Sequence, residues 1–265
     1  MDVIFLKKYK LYLLDMDGTI YLGNNLFPQT PPFLDFVKEI GADYMFLTNN
    51  SSSSADKYVK RLHSMGLDFI KKEDFLTSTH ATVEYIKENY DGKKFYAFGT
   101  RSFVSELEEN GIRLTTELED DIDAIVMGFD TELTFKKLDD VCQLLVRGVD
   151  YIATHPDYVC PTAYGFVPDC GAVTEMLYMA TGRRPHVIGK PQPAMIELAL
   201  KQRGLKKEDA MFIGDRLYTD IACGCNAGID TAFVLSGEGT LEDLEKSEAK
   251  PTYVLKDIGE CIVKD

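Results

Sequence analysis

The sequence predicts an α/β fold built on parallel β-sheets. Three observations carry that expectation. Short apolar runs alternate with segments of helical periodicity from end to end, the pattern of successive βαβ units. The runs are apolar throughout and lack the polar alternation of a half-exposed strand, which suits strands covered on both faces. Three of them end in polar sequence, and in open parallel sheets ligands sit at the carboxyl ends of strands.

The elements follow in order. Leu11–Leu14 is a buried strand ending at Asp15. Residues 31–40 form a helix, with Phe33, Phe36, Val37 and Ile40 at helical spacing and Gly41 as the stop. Tyr44–Leu47 is the next strand, ending at Thr48-Asn49-Asn50. A serine near Ser54 caps a helix carrying Tyr58, Leu62 and Met65, closed by Gly66. Phe75–Thr77 is a short strand. A second α/β stretch has strands at 95–98, 124–127 and 151–154, with helices at 102–110, 135–146 and 171–181. The first pattern then resumes: a helix over 193–202, a strand over 210–213 ending in Gly214-Asp215, a helix over 220–227, and strands at 231–235 and 253–255.

Composition narrows the function. Of 265 residues, 45% are hydrophobic and 27% charged, the balance of a globular chain of one large or two modest domains. Acidic residues number 43 against 29 basic, for a net charge of −14, so the general field disfavours nucleic acid and anionic membrane as partners. An anionic substrate therefore needs a local reversal of sign. No apolar run reaches the roughly 18 residues of a membrane span. Lys7, Lys8 and Lys10 interrupt the apolar N-terminal stretch, which does not read as a leader. The six cysteines show no C-x-x-C spacing and read as reduced thiols of a cytoplasmic protein.

The polar strand ends supply the chemistry. Asp15 and Asp17 place two carboxylates on one turn, where a divalent cation would relieve their repulsion; a plain capping turn is the competing reading. Gly18 permits the turn and Thr19 adds a hydroxyl. Asp215 stands at another strand end, and two carboxylates from separate strands suit Mg2+. Asp220, five residues on, reads by itself as a helix N-cap. Lys190, flanked by Pro191 and Pro193, can point into the same cleft or lie on the surface. Thr48 and Asn49, with the serines ahead of the next helix, form a plausible phosphate cradle, although capping is the favoured reading of Ser52 to Ser54.

Taken in order, Asp15-Met16-Asp17-Gly18-Thr19, Thr48-Asn49-Asn50-Ser51, Gly189-Lys190-Pro191 and Gly214-Asp215 through Asp220 resemble the four motifs of the haloacid dehalogenase superfamily of phosphatases. Thr154-His155-Pro156-Asp157 and Pro168-Asp169-Cys170-Gly171-Ala172 are similar to its NagD-like branch, which includes p-nitrophenyl phosphatases, nucleotide phosphatases and pyridoxal phosphate phosphatase.

The resemblance implies a Rossmann-like core, residues 1–81 and 187–265, with a smaller α/β cap over 82–186. It implies Asp15 as nucleophile and Asp17 as general acid and base. Mg2+ would be held by Asp15, Asp215 and the backbone carbonyl of Asp17. Thr48, Asn49, Asn50 and Lys190 would hold the phosphoryl oxygens, and Asp220 would orient Lys190 or the metal site. His155, Asp157, Tyr158, Tyr164 and Asp169 become candidate leaving-group contacts, with histidine standing at 155 where branch members commonly carry asparagine. The expected substrate is a small phosphorylated metabolite, and the cap is the expected homodimer contact. A phosphotransferase or mutase, and a non-catalytic regulatory protein, are the alternatives on the same scaffold.

Overall fold

A computed structural model of the chain describes residues 7–162 and 164–262. The N-terminal stretch read above against a leader begins in residues 1–6, which lie outside the described residues. The strands are β1 (Leu11–Leu14), β2 (Tyr21–Leu22), β3 (Asn25–Leu26), β4 (Asp43–Thr48), β5 (Phe75–Thr77), β6 (Phe95–Phe98), β7 (Leu114–Thr115), β8 (Ala124–Met127), β9 (Asp150–Ala153), β10 (Val159–Thr162), β11 (Gly165–Pro168), β12 (His186–Val187), β13 (Ala210–Gly214), β14 (Asp230–Val234) and β15 (Tyr253–Leu255). The helices are α1 (Thr30–Glu39), α2 (Ala55–Ser64), α3 (Ser78–Asn89), α4 (Arg101–Glu109), α5 (Phe135–Val146), α6 (Cys170–Thr181), α7 (Ala194–Arg203), α8 (Ala222–Ala227) and α9 (Leu241–Lys246). None of them is long and apolar enough to cross a membrane.

The chain divides into two compact units, and both are α/β. The first takes residues 7–48, 58–76 and 190–262 of the described chain, and the second residues 49–57 and 77–189. The first unit holds a six-stranded sheet in the order β15-β14-β13-β1-β4-β5. Pairing is parallel from β15 through to β4. All four residues of β1 are fully buried, as their unbroken apolar run demands. Each such side chain contributes about 1.5–3 kcal/mol on burial, which fixes the strand although its end carries charge. Pro31 and Pro32 sit in the first turn of α1, where no helical hydrogen bond is forfeited, and Phe33, Leu34, Phe36 and Val37 form its buried side.

The second unit holds a five-stranded parallel sheet, β12-β9-β8-β6-β7, and an antiparallel hairpin of β10 and β11. Its core joins Phe98, Met127, Tyr151 and Ala153 of the strands to Val141, Leu144 and Leu145 of α5 and Val173 and Leu177 of α6.

One element differs from expectation in a way that matters. The helix expected at 220–227 is preceded by a wide helical turn, Leu217–Ile221, and α8 starts only at Ala222. Asp220 therefore lies inside the turn and does not cap α8.

Candidate active site

Register brings the polar strand ends together. Leu14 pairs with Ile213 on one side and Phe46 on the other. The Asp15 amide continues the ladder to the Ile213 carbonyl at 2.9 Å. Asp15, Thr48 and Asp215 thus leave three adjacent strands at the same edge of the first unit's sheet.

Lys190 closes this edge. It is 3% exposed, and its Nζ donates to Asp15 Oδ1 at 2.5 Å, to Asp220 Oδ1 at 2.8 Å and to the Leu47 carbonyl at 3.3 Å. Burial works against the ammonium, but the charges of Asp15 and Asp220 outweigh it and hold its pKa above the ordinary lysine value. The second oxygen of Asp220 accepts from the Arg216 amide at 3.0 Å, so both of its oxygens are engaged.

Asp215 is 1% exposed and has a different shell. Its Oδ2 accepts from the Glu238 amide at 2.7 Å and its Oδ1 from the Thr19 hydroxyl at 3.4 Å. Among the described residues no cationic side chain forms an ion pair with it. Gly18 has φ +91°, and a Cβ there would collide with the Asp215 carboxylate. A Cβ at Gly237 would do the same. Two glycines therefore let backbone press against this carboxylate.

Asp17 leaves the turn beside Tyr21, whose hydroxyl donates to its Oδ2 at 3.1 Å. Burial raises the pKa of Asp17, against the pull of the Arg61 charge and the Tyr21 hydrogen bond. Arg61 is held over the Tyr21 ring at 4.4 Å and donates to the Gly23 carbonyl at 2.7 Å.

The charge balance shows what the site lacks. Carboxylate oxygens of Asp15, Asp215 and Asp220 lie within 4.8 Å of one another. Against them stand the Lys190 ammonium and the Arg216 guanidinium, whose charge acts on Asp15 and Asp215 while it also pairs with Glu238 at 2.9 Å, so carboxylates still outnumber cations. Burial first, and then the Asp220 charge, hold the Asp15 carboxyl well above the usual carboxylate range despite Lys190. Burial and the same charge push Asp215 up to about 7. A hard divalent cation relieves such crowding, and an all-oxygen donor set is the kind it takes. Asp220 is tied to the Lys190 ammonium and the Arg216 amide, whereas Asp215 meets only neutral donors and Asp15 meets Lys190 through one oxygen, so Asp15 and Asp215 are the carboxylates that could hold such a cation.

The remaining expected residues fall in the second unit. Asn49 Nδ2 donates to Asp157 Oδ1 at 3.0 Å. Asn50 Oδ1 accepts from both the amide and the hydroxyl of Ser52, a local turn. The Ser51 hydroxyl points inward, 3.0 Å from Thr154 Oγ1, and accepts from the Phe129 amide at 2.8 Å. His155 is fully buried between Asp157 and Asp169. Tyr158 and Tyr164 are exposed.

Sequence reasoning passed over Tyr21, Arg61 and the loop ending at Glu238, all of which shape the acidic turn or Asp215. Only Tyr21 stood close enough to a motif, two residues past Thr19, to be noticed.

Residues 12–113 match the haloacid dehalogenase-like hydrolase family, and residues 187–261 match the HAD-hydrolase-like family. The acid sugar phosphatase of Staphylococcus aureus is 36% identical over 260 residues, 98% of this chain and 99% of that protein. The solved 4-nitrophenylphosphatase of Thermotoga maritima superposes with a TM-score of 0.91 at 40% identity, covering 98% of both chains. A glycerol phosphate phosphatase of Mycobacterium tuberculosis, solved in complex with magnesium, gives 0.89 at 28% identity over 97% of this chain and 77% of its own. The chain belongs to the haloacid dehalogenase-like hydrolases, among the phosphatases of the NagD-like branch.

Proposed function

We propose that this chain hydrolyses small phosphomonoesters, of the sugar phosphate and p-nitrophenyl phosphate type, with Mg2+ and through a phosphorylated Asp15. The reading rests above all on one observation: Lys190 bridges Asp15 and Asp220 beside Asp215 at the carboxyl edge of the sheet. The printed activities of the relatives support the substrate class, and the magnesium complex of one neighbour supports the cation.

In the first step Asp15 attacks phosphorus, the bond to the leaving oxygen breaks, and Asp17 delivers its proton to that oxygen. The raised pKa of Asp17 favours the protonated form this step needs. In the second step Asp17, now a carboxylate, takes a proton from water. The water oxygen attacks phosphorus, inorganic phosphate leaves, and Asp15 is restored. Lys190 places a fixed positive charge beside the reacting oxygens, and the Thr48 hydroxyl and Asn49 amide donate to them. Asn50 shapes the turn that carries Asn49. Asp220 keeps Lys190 aimed at Asp15. Asp15, Asp215 and the Asp17 carbonyl would hold the cation, which neutralises phosphoryl charge when bound.

The second unit, in this reading, is the cap that selects the leaving group. Tyr158, Tyr164, Phe166, Met176 and Met179 are exposed on it, large apolar side chains of the kind a homodimer contact would cover. A cytoplasmic setting accords with the buried thiols of Cys170, Cys223 and Cys261, none in a disulfide.

The test is phosphate release from p-nitrophenyl phosphate and a panel of sugar phosphates, with Mg2+ and without added acceptor. Release is expected. Turnover only when a sugar acceptor is supplied would favour a phosphotransferase, and no turnover at all would defeat the catalytic reading.

A further inference from the structure

We infer that Asp157 and His155 are positioning residues that fix the orientation of the Asn49 amide. The inference rests on the phosphatase reading, in which Asn49 donates to phosphate. Asn49 is 4% exposed, and its backbone carbonyl accepts from the Ser78 hydroxyl at 2.5 Å. Its Nδ2 donates to Asp157 Oδ1 at 3.0 Å. On the other side a Cβ at Gly189 would lie 2.6 Å from Asn49 Oδ1, so only backbone fits against the amide oxygen. A carboxylate accepts and does not donate. Asp157 therefore selects the NH2 end of the amide, because a flipped amide would set oxygen against oxygen.

The loop bearing Asp157 is itself braced. Thr154 donates from its amide to the Met127 carbonyl, and the Gly189 amide donates to the Thr154 carbonyl, each at 2.8 Å. The Gly171 amide donates to the Asp157 carbonyl at 2.8 Å. The second Asp157 oxygen lies 3.7 Å from His155 Nδ1, and His155 Nε2 lies 3.6 Å from Asp169 Oδ1. Asp169 in turn caps α6 through the Cys170 amide at 2.6 Å. His155 has no exposed surface, and neither ring nitrogen has a hydrogen-bond partner among the described residues. A side chain buried in this way does not meet a leaving group. Such burial carries a desolvation cost, and what the ring does reach is the carboxylate that holds Asn49. The two carboxylates face opposite nitrogens of one ring, which suits a spacer between them better than a single bound ion.

The discriminating readout is the inhibition constant of inorganic phosphate, which has no leaving group. It is measured beside kcat and KM for p-nitrophenyl phosphate and one sugar phosphate. Asp157→Ala is expected to raise the phosphate Ki and both KM values by one common factor, about tenfold for a lost buried hydrogen bond. Asp157→Asn, which keeps an acceptor oxygen, recovers most of that loss. His155→Asn raises the same constants by a smaller factor. In an Asn49→Ala background Asp157→Ala adds nothing further. If Asp157→Ala fails to fold, Asp157→Asn and His155→Asn carry the test. An unchanged phosphate Ki with a change confined to one substrate would overturn the inference and make Asp157 a leaving-group contact. Wild-type enzyme without turnover would overturn the phosphatase reading itself, whereas active wild type with unaltered variants overturns this inference alone.

Discussion

Replacing Lys190 with methionine removes a charge that three acceptors share and keeps most of the side-chain volume. The lost partners are Asp15 at 2.5 Å, Asp220 at 2.8 Å and the Leu47 carbonyl at 3.3 Å. Deleting one member of a buried ion pair leaves the other charge uncompensated, at a cost of about 3–5 kcal/mol. Here two carboxylates are left, beside an Asp215 already pushed up to about 7. They can recover part of the loss by taking protons, so the measurement belongs near pH 8. Removing a donor aimed at transition-state charge lowers kcat by about 10²–10³. Lys190→Met is thus expected to lose about 3–5 kcal/mol of unfolding free energy in the first unit. Urea denaturation followed by tyrosine fluorescence suits a chain with 14 tyrosines and no tryptophan. A loss below about 1 kcal/mol, the range of exposed ion pairs, with kcat within about tenfold of wild type would refute the reasoning and make Lys190 a surface charge.

Two further outcomes follow from the same geometry. Asp15 and Asp215 have folded-state pKa values raised above the ordinary aspartate value of 3.8, so the stability they contribute is complete below that value and is lost as pH rises through their folded values, about 7 for Asp215. Metal-free protein should therefore melt at lower temperature near pH 8 than near pH 5, and the upward shift in Tm on adding Mg2+ should grow with pH, because the cation competes with protons; a shift independent of pH would contradict the shared-carboxylate site. Gly18→Ala introduces a Cβ that meets the Asp215 carboxylate at a φ of +91°, so it should cost about 1–3 kcal/mol of strain and most of the activity, measured by thermal melts and phosphate release; a fully active variant would show the turn to be tolerant.

Much of the core was legible because it is written in local sequence. The runs at 11–14, 44–47 and 210–213 are apolar without interruption, and each gives way abruptly to the polar residues that the register later aligns. What was missed has equally physical reasons. Helix α3 follows β5 directly, with Thr77 ending the strand and capping the helix, so no turn residue marks the boundary. The hairpin of β2 and β3 has two-residue strands, too short for any periodicity. Strand β10 contains Pro161, which argues against a strand unless its neighbours are known. In α9, charged residues fill four of six positions, leaving little apolar pattern. By itself Asp220 reads as a cap, since it stands at the expected start of a helix, and its pairing with Lys190, 30 residues away, enters the sequence reading only through the family resemblance. The pairing of Asn49 with Asp157 spans 108 residues and has no local signature at all.

The account turns on Asp15 as the group that carries the phosphoryl. The most direct measurement is acid quenching of the enzyme during turnover of p-nitrophenyl phosphate with Mg2+, followed by fragment mass spectrometry of the peptide containing Asp15. The prediction is one phosphoryl group on Asp15, absent from Asp15→Asn, which should keep its fold and release no phosphate. Turnover with no phosphorylated peptide at any quench time, together with sustained activity of Asp15→Asn, would contradict it.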